Sequence, residues 1–230
     1  MPRRVEPEAL DSLEANSPQA QRSRRDLRRL HFVMGTLPIV LSAFAATGLK
    51  GRPLRILEIG AGDGSFALRM ANSRGMHLAP VALTLLDRRP AVADETLAAF
   101  KSLGWSPTIA VADIFDWFLH SPETHWDVVI ANLFMHHFQG DHLSRLLSSI
   151  SRCTPVFFCC EPRRSRLALL GSHLVGLIGA GSITREDAVL SVHAGFRSQE
   201  LSSAWPSGGG WKLREYSAGL FSHCLLARKE

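Results

Sequence analysis

The sequence predicts a doubly wound α/β fold: a mostly parallel seven-stranded sheet, flanked by helices, that ends in an antiparallel hairpin. Two observations carry this. From Leu54 onward, continuous apolar runs alternate with amphipathic ones, the pattern of parallel strands covered on both faces by crossover helices. The last two strand-like runs are separated by only a tight turn, which leaves no room for a crossover and makes them antiparallel neighbours. A length of 230 residues suits one domain with its own core, and 46% apolar against 20% charged residues is a globular composition.

In chain order, residues 1–23 are rich in Pro, Glu, Ser and Arg and are expected to form a flexible tail. "RRDLRRLHFVMG" places Leu27, Leu30, Val33 and Met34 on one helix face. With a further helix over about 36–48 it forms an N-terminal helical cap, 24–50, and "KGRP" then breaks the chain. The main domain, 51–230, reads as strand "LRILEIG", helix "SFALRMANSR", strand "VALTLLD", helix "AVADETLAAFKSLG", strand "TIAVADI" and a partial helix "DWFLHSPE". It continues with strand "WDVVIANL", helix "DHLSRLLSSISR", strand "PVFFCCEP" and helix "RSRLALLGSHLVGLI", and closes with "WKLREYSAGL" and "FSHCLLARK". The stretch of about 163–205 is too long for a plain crossover and is expected to act as a lid that chooses a substrate.

Each of the first five strands ends in a polar residue: Glu58, Asp87, Asp113, Asn132 and Glu161. In open α/β sheets the ligand lies beyond these carboxyl ends. Any one of them is explained as a helix N-cap, but the five together point to a site. Asp87, one βαβ unit after the first loop, is placed to accept the two hydroxyls of a ribose. The loop itself, Gly60-Ala61-Gly62-Asp63-Gly64, departs from the dinucleotide pattern G-x-G-x-x-G. A pyrophosphate beside Glu58 and Asp63 would meet like charge in a partly dry cleft. A cationic ligand with a ribose and no phosphate fits better.

"LEIGAGDGS", "LTLLDRR", "VADIFDW" and "WDVVIANLFMHHF" resemble the successive motifs of class I S-adenosylmethionine-dependent methyltransferases, over roughly residues 50–230. The resemblance implies a Rossmann-like methyltransferase fold, S-adenosyl-L-methionine as cofactor and S-adenosylhomocysteine as product. It implies that Gly60, Ala61 and Gly62 pass close to the methionine part, with Glu58 and Asp63 near its ammonium. Asp87, with Arg88 beside it, would hold the ribose. Asp113 would accept from the adenine amino group with Ile114 against the ring, and Asn132 and Leu133 would contact the cofactor through the backbone. "EPRRSRLALLG" and "ITREDAVLSVHAGF" are similar to enzymes that methylate phenolic, quinone or polyketide-type metabolites. Before strand five the chain has "SRCTPVFF" where many relatives have a Pro-Gly-Gly turn.

The expected acceptor is therefore a small aromatic or polyketide-like molecule, methylated on oxygen; C-methylation of a quinone-like ring uses the same scaffold. His136 and His137 follow strand four, where the methyl group would emerge. An imidazole there can take the proton from an attacking hydroxyl, or simply line the pocket. Arg185, Asp187, Ser191 and His193 are candidate acceptor contacts in the lid, with surface ion pairing as their alternative. No His, Asp and Glu grouping has metal-ligand spacing along the chain, so no metal is expected.

The formal charge is +5, but the N-terminal arginines are interleaved with acids, which disfavours nucleic acid as partner. "ANLFMHHF" stands where methyltransferases of base amino groups carry D/N-P-P-Y/F, which disfavours it further. An oxidoreductase using NADH and an RNA methyltransferase are the remaining enzyme rivals. Four cysteines without a CxxC pair, and apolar runs shorter than the roughly 20 residues of a membrane span, suggest a soluble cytoplasmic protein, with a homodimer possible.

Overall fold

The computed structural model describes residues 1–14, 17–49, 53–73, 76, 80–89, 91–120 and 125–230. It opens with a 3-10 turn at Ala9–Ser12 and helices α1 (Pro18–Met34) and α2 (Thr36–Ala45). The alternating region follows as β1 (Leu54–Ile59), α3 (Ser65–Ala71), β2 (Val81–Asp87), α4 (Asp94–Ser102), β3 (Trp105–Val111) and α5 (Ile114–His120). Then come β4 (Val128–Asn132), a 3-10 turn at Met135–His137, α6 (Gly140–Cys153) and β5 (Val156–Pro162). The chain continues through α7 (Arg166–His173), a 3-10 turn at Val175–Ile178, α8 (Ser182–Ala194) and α9 (Glu200–Ala204), and ends in the hairpin β6 (Trp211–Ala218) and β7 (Ser222–Lys229).

The strands form one seven-stranded sheet in the order β3-β2-β1-β4-β5-β7-β6. The first five are parallel; β7 runs antiparallel to β5 and to β6. The predicted fold class is therefore the observed one. Strand periodicity divides the core into two layers. Ile56, Leu83, Leu85, Ile130 and Phe158 face one side with α2, α3 and α4, while Leu57, Ile59, Leu86, Val129 and Phe157 face the other with α6. Cys159 and Cys160 fall in opposite layers, as adjacent strand residues must, and all four cysteines are free.

Several boundaries differ from the sequence expectation. β3 starts three residues before "TIAVADI" and includes Pro107, which an edge strand tolerates because its outer N–H has no partner to lose. The single helix expected over "RSRLALLGSHLVGLI" breaks after His173, in a stretch holding Gly176 and Gly179, the latter at φ +83°. The "KGRP" break lies outside the described residues except for Pro53.

The largest departure is the N-terminal tail. Helix α1 starts at Pro18, six residues earlier than expected, because Ser17 accepts from Ala20 N (3.2 Å) and Pro18 occupies the first helical turn. The described residues before it are docked, not loose. Arg3 Nε donates to Ala194 O (2.7 Å) and Arg3 Nη2 to Phe138 O (2.8 Å). Asp187 of α8 accepts from Ala9 N (2.7 Å) and Leu10 N (3.0 Å), capping the first 3-10 turn. Arg89 Nη1 donates to Leu10 O (2.8 Å) and Leu13 O (2.9 Å). Asp26 of α1 accepts from Gly181 N (2.8 Å), which fixes α8 against α1. Among the described residues no single helix is long and apolar enough to cross a membrane.

All four thiols are buried, and burial raises Cys153 to about 12 and Cys159 well above the ordinary thiol range. We expect no reaction with Ellman's reagent in the native protein and full reaction after unfolding. Rapid labelling of any thiol in buffer would reveal local opening of the strands that carry them.

Candidate active site

A cavity of about 690 Å³ lies at the carboxyl ends of β1, β2 and β4, where the strand order reverses. Its floor is the glycine turn. Gly60 N and Ala61 N donate to Leu86 O (2.9 and 3.1 Å), which folds the turn back onto β2. Gly60 sits at φ +70°, and a Cβ there would lie 2.4 Å from the Phe134 ring, so the close approach of the turn to the segment after β4 requires glycine. Gly62 N donates to Asp87 Oδ2 (2.9 Å) and Arg89 N to Asp87 Oδ1 (3.0 Å), which aims this carboxylate along the turn.

Three carboxylates share this corner. Asp63 accepts from Ser65 N (3.0 Å) and from Arg28 Nη1 of α1 (2.7 Å). Glu58 is 4% exposed, and its Oε2 is buried without a hydrogen-bond partner. Burial, then the charges of Asp63 and Asp87, push its carboxyl up to about 8. Burial, followed by Arg69, drives His31 down to about 4, so this wall carries a neutral imidazole, its ring edge-on to Phe66 at 5.6 Å. Asn132 is 7% exposed and both its amide atoms lack partners. Unpaired buried groups of this kind are costly unless a ligand or water meets them. An acidic, hydrogen-bond-hungry corner with Asp87 beside it suits a ligand that carries a cation and a diol.

The opposite wall depends on Glu161 at the end of β5. This fully buried carboxylate accepts from the amides of Phe134 (3.1 Å), Met135 (3.0 Å) and His136 (3.2 Å), and from His136 Nδ1 (2.8 Å). The neighbouring Leu133 holds a left-handed φ of +54°. His136 Nε2 meets Glu8 Oε1 at 3.3 Å, so the ring bridges two acids. Burial disfavours its charge, but hydrogen bonds to Glu161 and Glu8, and their charges, raise it to about 9. Glu8 is held below the ordinary carboxylate range: burial opposes this, and the hydrogen bond and charge of His136 overcome it. His137 is shifted the other way, first by burial and then by the neighbouring His136 charge. Its Nδ1 lies 3.7 Å from Asp11 Oδ2.

Most of the residues expected at the site line this cavity: Glu58, Gly60, Ala61, Gly62, Asp63, Asp87, Arg88, Asp113, Ile114, Asn132, Leu133, His136, His137 and Ser191. Asp113 also caps α5, accepting from Phe115 N (2.8 Å). Arg88 faces Asp11 (3.8 Å) from the rim. Arg185, Asp187 and His193 do not line it. Arg185 packs against Gly176, Asp187 holds the first 3-10 turn, and the His193 carbonyl accepts from Arg4 N (3.1 Å). His136, a bridge between two acids and protonated near neutrality, has no free lone pair to act as a base. No metal-ligand spacing was expected along the chain, and the fold brings three such side chains together from distant positions. One ligand atom each from Glu8, His136 and His137 lie within 4.8 Å of one another. Glu8 comes from 128 residues away in the chain, so spacing gave no signal for it. Glu161 was visible as a polar strand end; its work on the turn after β4 was not.

Replacing Glu161 by Leu should lower stability by about 3–5 kcal/mol in denaturant titrations, because three amides and a buried imidazolium lose their acceptor. Glu161→Gln should cost less, since an amide oxygen still accepts. Glu58 gives a pH signature. Its folded carboxyl keeps a proton up to about 8, whereas the unfolded one releases it near 4.5. Its contribution is therefore full below pH 4.5 and declines through that interval until it is lost above about 8. Unliganded protein should lose stability across this window in urea titrations, and Glu58→Gln should flatten the slope.

The comparisons agree with this architecture. An O-methyltransferase family protein from Burkholderia thailandensis superposes with a TM-score of 0.60 at 13% identity, over 94% of this chain and 61% of its own. This chain thus spans under two thirds of that protein. The DhpI-SAM-HEP complex gives 0.56 at 17% identity, covering 91% of this chain and 93% of the other. A structure described under the conversion of a disulfide bond into a thioacetal group during echinomycin biosynthesis gives 0.55 at 20% identity, covering 83% and 81%. These likenesses establish the fold. No curated protein matches the chain by sequence. A family model described as a methyltransferase domain matches residues 21–201, from within α1 into α9, and the chain belongs to that family.

Proposed function

We propose that this protein is an S-adenosyl-L-methionine-dependent methyltransferase that methylates a hydroxyl of a small phenolic or polyketide-type molecule. The observation that carries the reading is that the acidic glycine turn, Asp87 and His137 line one cavity. The residues present fit the cofactor. Asp63 offers charge and Glu58 an unpaired acceptor oxygen to an ammonium, Asp87 accepts from two ribose hydroxyls and Asp113 from an adenine amino group, with Ile114 against the ring. When bound, the cofactor supplies an electrophilic methyl group on sulfur. The protein aligns the acceptor and excludes water.

His137 is the side chain best suited to receive the acceptor's proton. Burial and the adjacent His136 charge keep its ring neutral, and the side chain remains 26% exposed. We assign acceptor selection to two segments: the N-terminal residues with α1 and α2, and residues 163–205. Val5, Leu10, Leu27 and Ser191 bring both to the cavity wall.

Calorimetry with S-adenosylhomocysteine should show binding, and Asp87→Ala should weaken it by roughly tenfold or more, the scale of a lost charge-assisted hydrogen bond. Turnover on a phenolic panel should add one methyl group by mass. His137→Ala should reduce turnover with cofactor affinity nearly unchanged. No binding of S-adenosylhomocysteine by intact protein would overturn the reading.

A further inference from the structure

We propose that Glu8, His136 and His137 form a binding site for a divalent cation of zinc-like chemistry. One ligand atom from each lies within 4.8 Å of the others. An ion binding between His136 Nε2 and Glu8 Oε1 would displace the proton that bridges them, and the two atoms are 3.3 Å apart. That matches the edge of a tetrahedron, roughly 3.3–3.4 Å, around an ion with bonds of about 2.0–2.1 Å. Two imidazoles and one carboxylate, with further positions open, are a donor set that borderline divalent cations favour over calcium or magnesium.

The surroundings are arranged as for a ligated histidine. His136 Nδ1 meets the buried Glu161 Oε2 at 2.8 Å, which fixes the ring and turns Nε2 toward Glu8. A carboxylate on the far nitrogen is the usual partner of a metal-bound imidazole. Asp11 Oδ2, 3.7 Å from His137 Nδ1, stands within reach as a fourth ligand, while Arg88 and Arg89 approach the other oxygen, Oδ1, at 3.8 and 4.0 Å. Ser191 Oγ donates to Glu8 Oε1 and sets its orientation. His137 keeps 26% of its side chain exposed, so the site has an entry path.

Glu8 lies in the N-terminal segment and the two histidines follow β4, so an ion would fasten that segment across the mouth of the cavity. A catalytic use of the ion rests on the methyl-transfer reading; the binding site itself does not. With an ion bound, His137 would serve as a ligand, and its role as proton acceptor would hold only for the metal-free protein. A bound ion would supply Lewis acidity that lowers the pKa of an acceptor hydroxyl, whose proton would leave to solvent. The oxygen–carbon bond then forms as the sulfur–carbon bond breaks.

The test is zinc titration of untagged, chelator-treated full-length protein, followed by calorimetry. Wild type should take one zinc per chain. Glu8→Ala and His137→Ala should each weaken binding at least tenfold, and His173→Ala, on α7 and away from the cavity, should not. His136 is avoided because its burial would mix folding with binding. Cobalt in place of zinc should give a visible spectrum of low-symmetry nitrogen and oxygen ligation that His137→Ala removes. No stoichiometric zinc in wild type, or equal affinity in wild type and both variants, would sink the site. Zinc binding without S-adenosylhomocysteine binding would remove the methyl-transfer reading and leave the site standing.

Discussion

The Glu161 carboxylate is the constraint on which the cavity depends. It ends β5 with no solvent exposure, yet its four acceptor contacts all go to the single turn after β4. A buried charge survives only when it is fully hydrogen-bonded, and three consecutive amides plus an imidazole meet that condition. The turn in turn sets everything on its side of the site. Leu133 is held left-handed, Phe134 is pressed over Gly60, and the two histidine rings lie with centroids 4.3 Å apart, tilted by 32°. One carboxylate thus couples β5, the end of β4 and the glycine turn of β1.

The glycine corner shows the opposite economy. Glu58, Asp63 and Asp87 repel one another, Glu58 Oε2 is unpaired, and Asn132 has no partner for either amide atom. Such groups are tolerated in native structures where binding relieves them. The Glu161 side is internally satisfied; the glycine side leaves buried polar atoms unmet. The same residue type, a buried strand-end carboxylate, serves as structural anchor in one place and as unmet acceptor in the other. What separates them is whether neighbouring amides point inward.

The N-terminal segment closes the cavity through polar contacts more than through apolar burial. Arg3, Glu8, Asp187 and Arg89 hold it by backbone carbonyls, amides and one imidazole. A segment held in this way opens at lower free energy than the sheet beneath it. Asp26 of α1 in turn accepts from Gly181 N, which joins α1 to the start of α8.

The fold was legible in the sequence because its signals are local. Apolar runs of strand length, separated by helical periodicity, can be buried only as a doubly wound sheet, and the short final turn permits only a hairpin. That these residues would meet was legible for the same reason: Glu58, the glycines, Asp87, Asp113 and Asn132 each stand at the end of their own strand, and topology gathers strand ends into one cavity. Nothing local marked Glu8 as the partner of His136, because polar residues in a segment without periodicity carry no register. Nor could spacing show that Asp187 caps a distant turn instead of facing an acceptor, or that Glu161 shapes the turn bearing the histidines. Those outcomes rest on contacts across 128, 178 and 25 residues. The sequence by itself determined the sheet and the acidic turn, through periodicity and strand-end chemistry. Only the tertiary structure decided which buried charges would be paired, because pairing depends on where the chain returns.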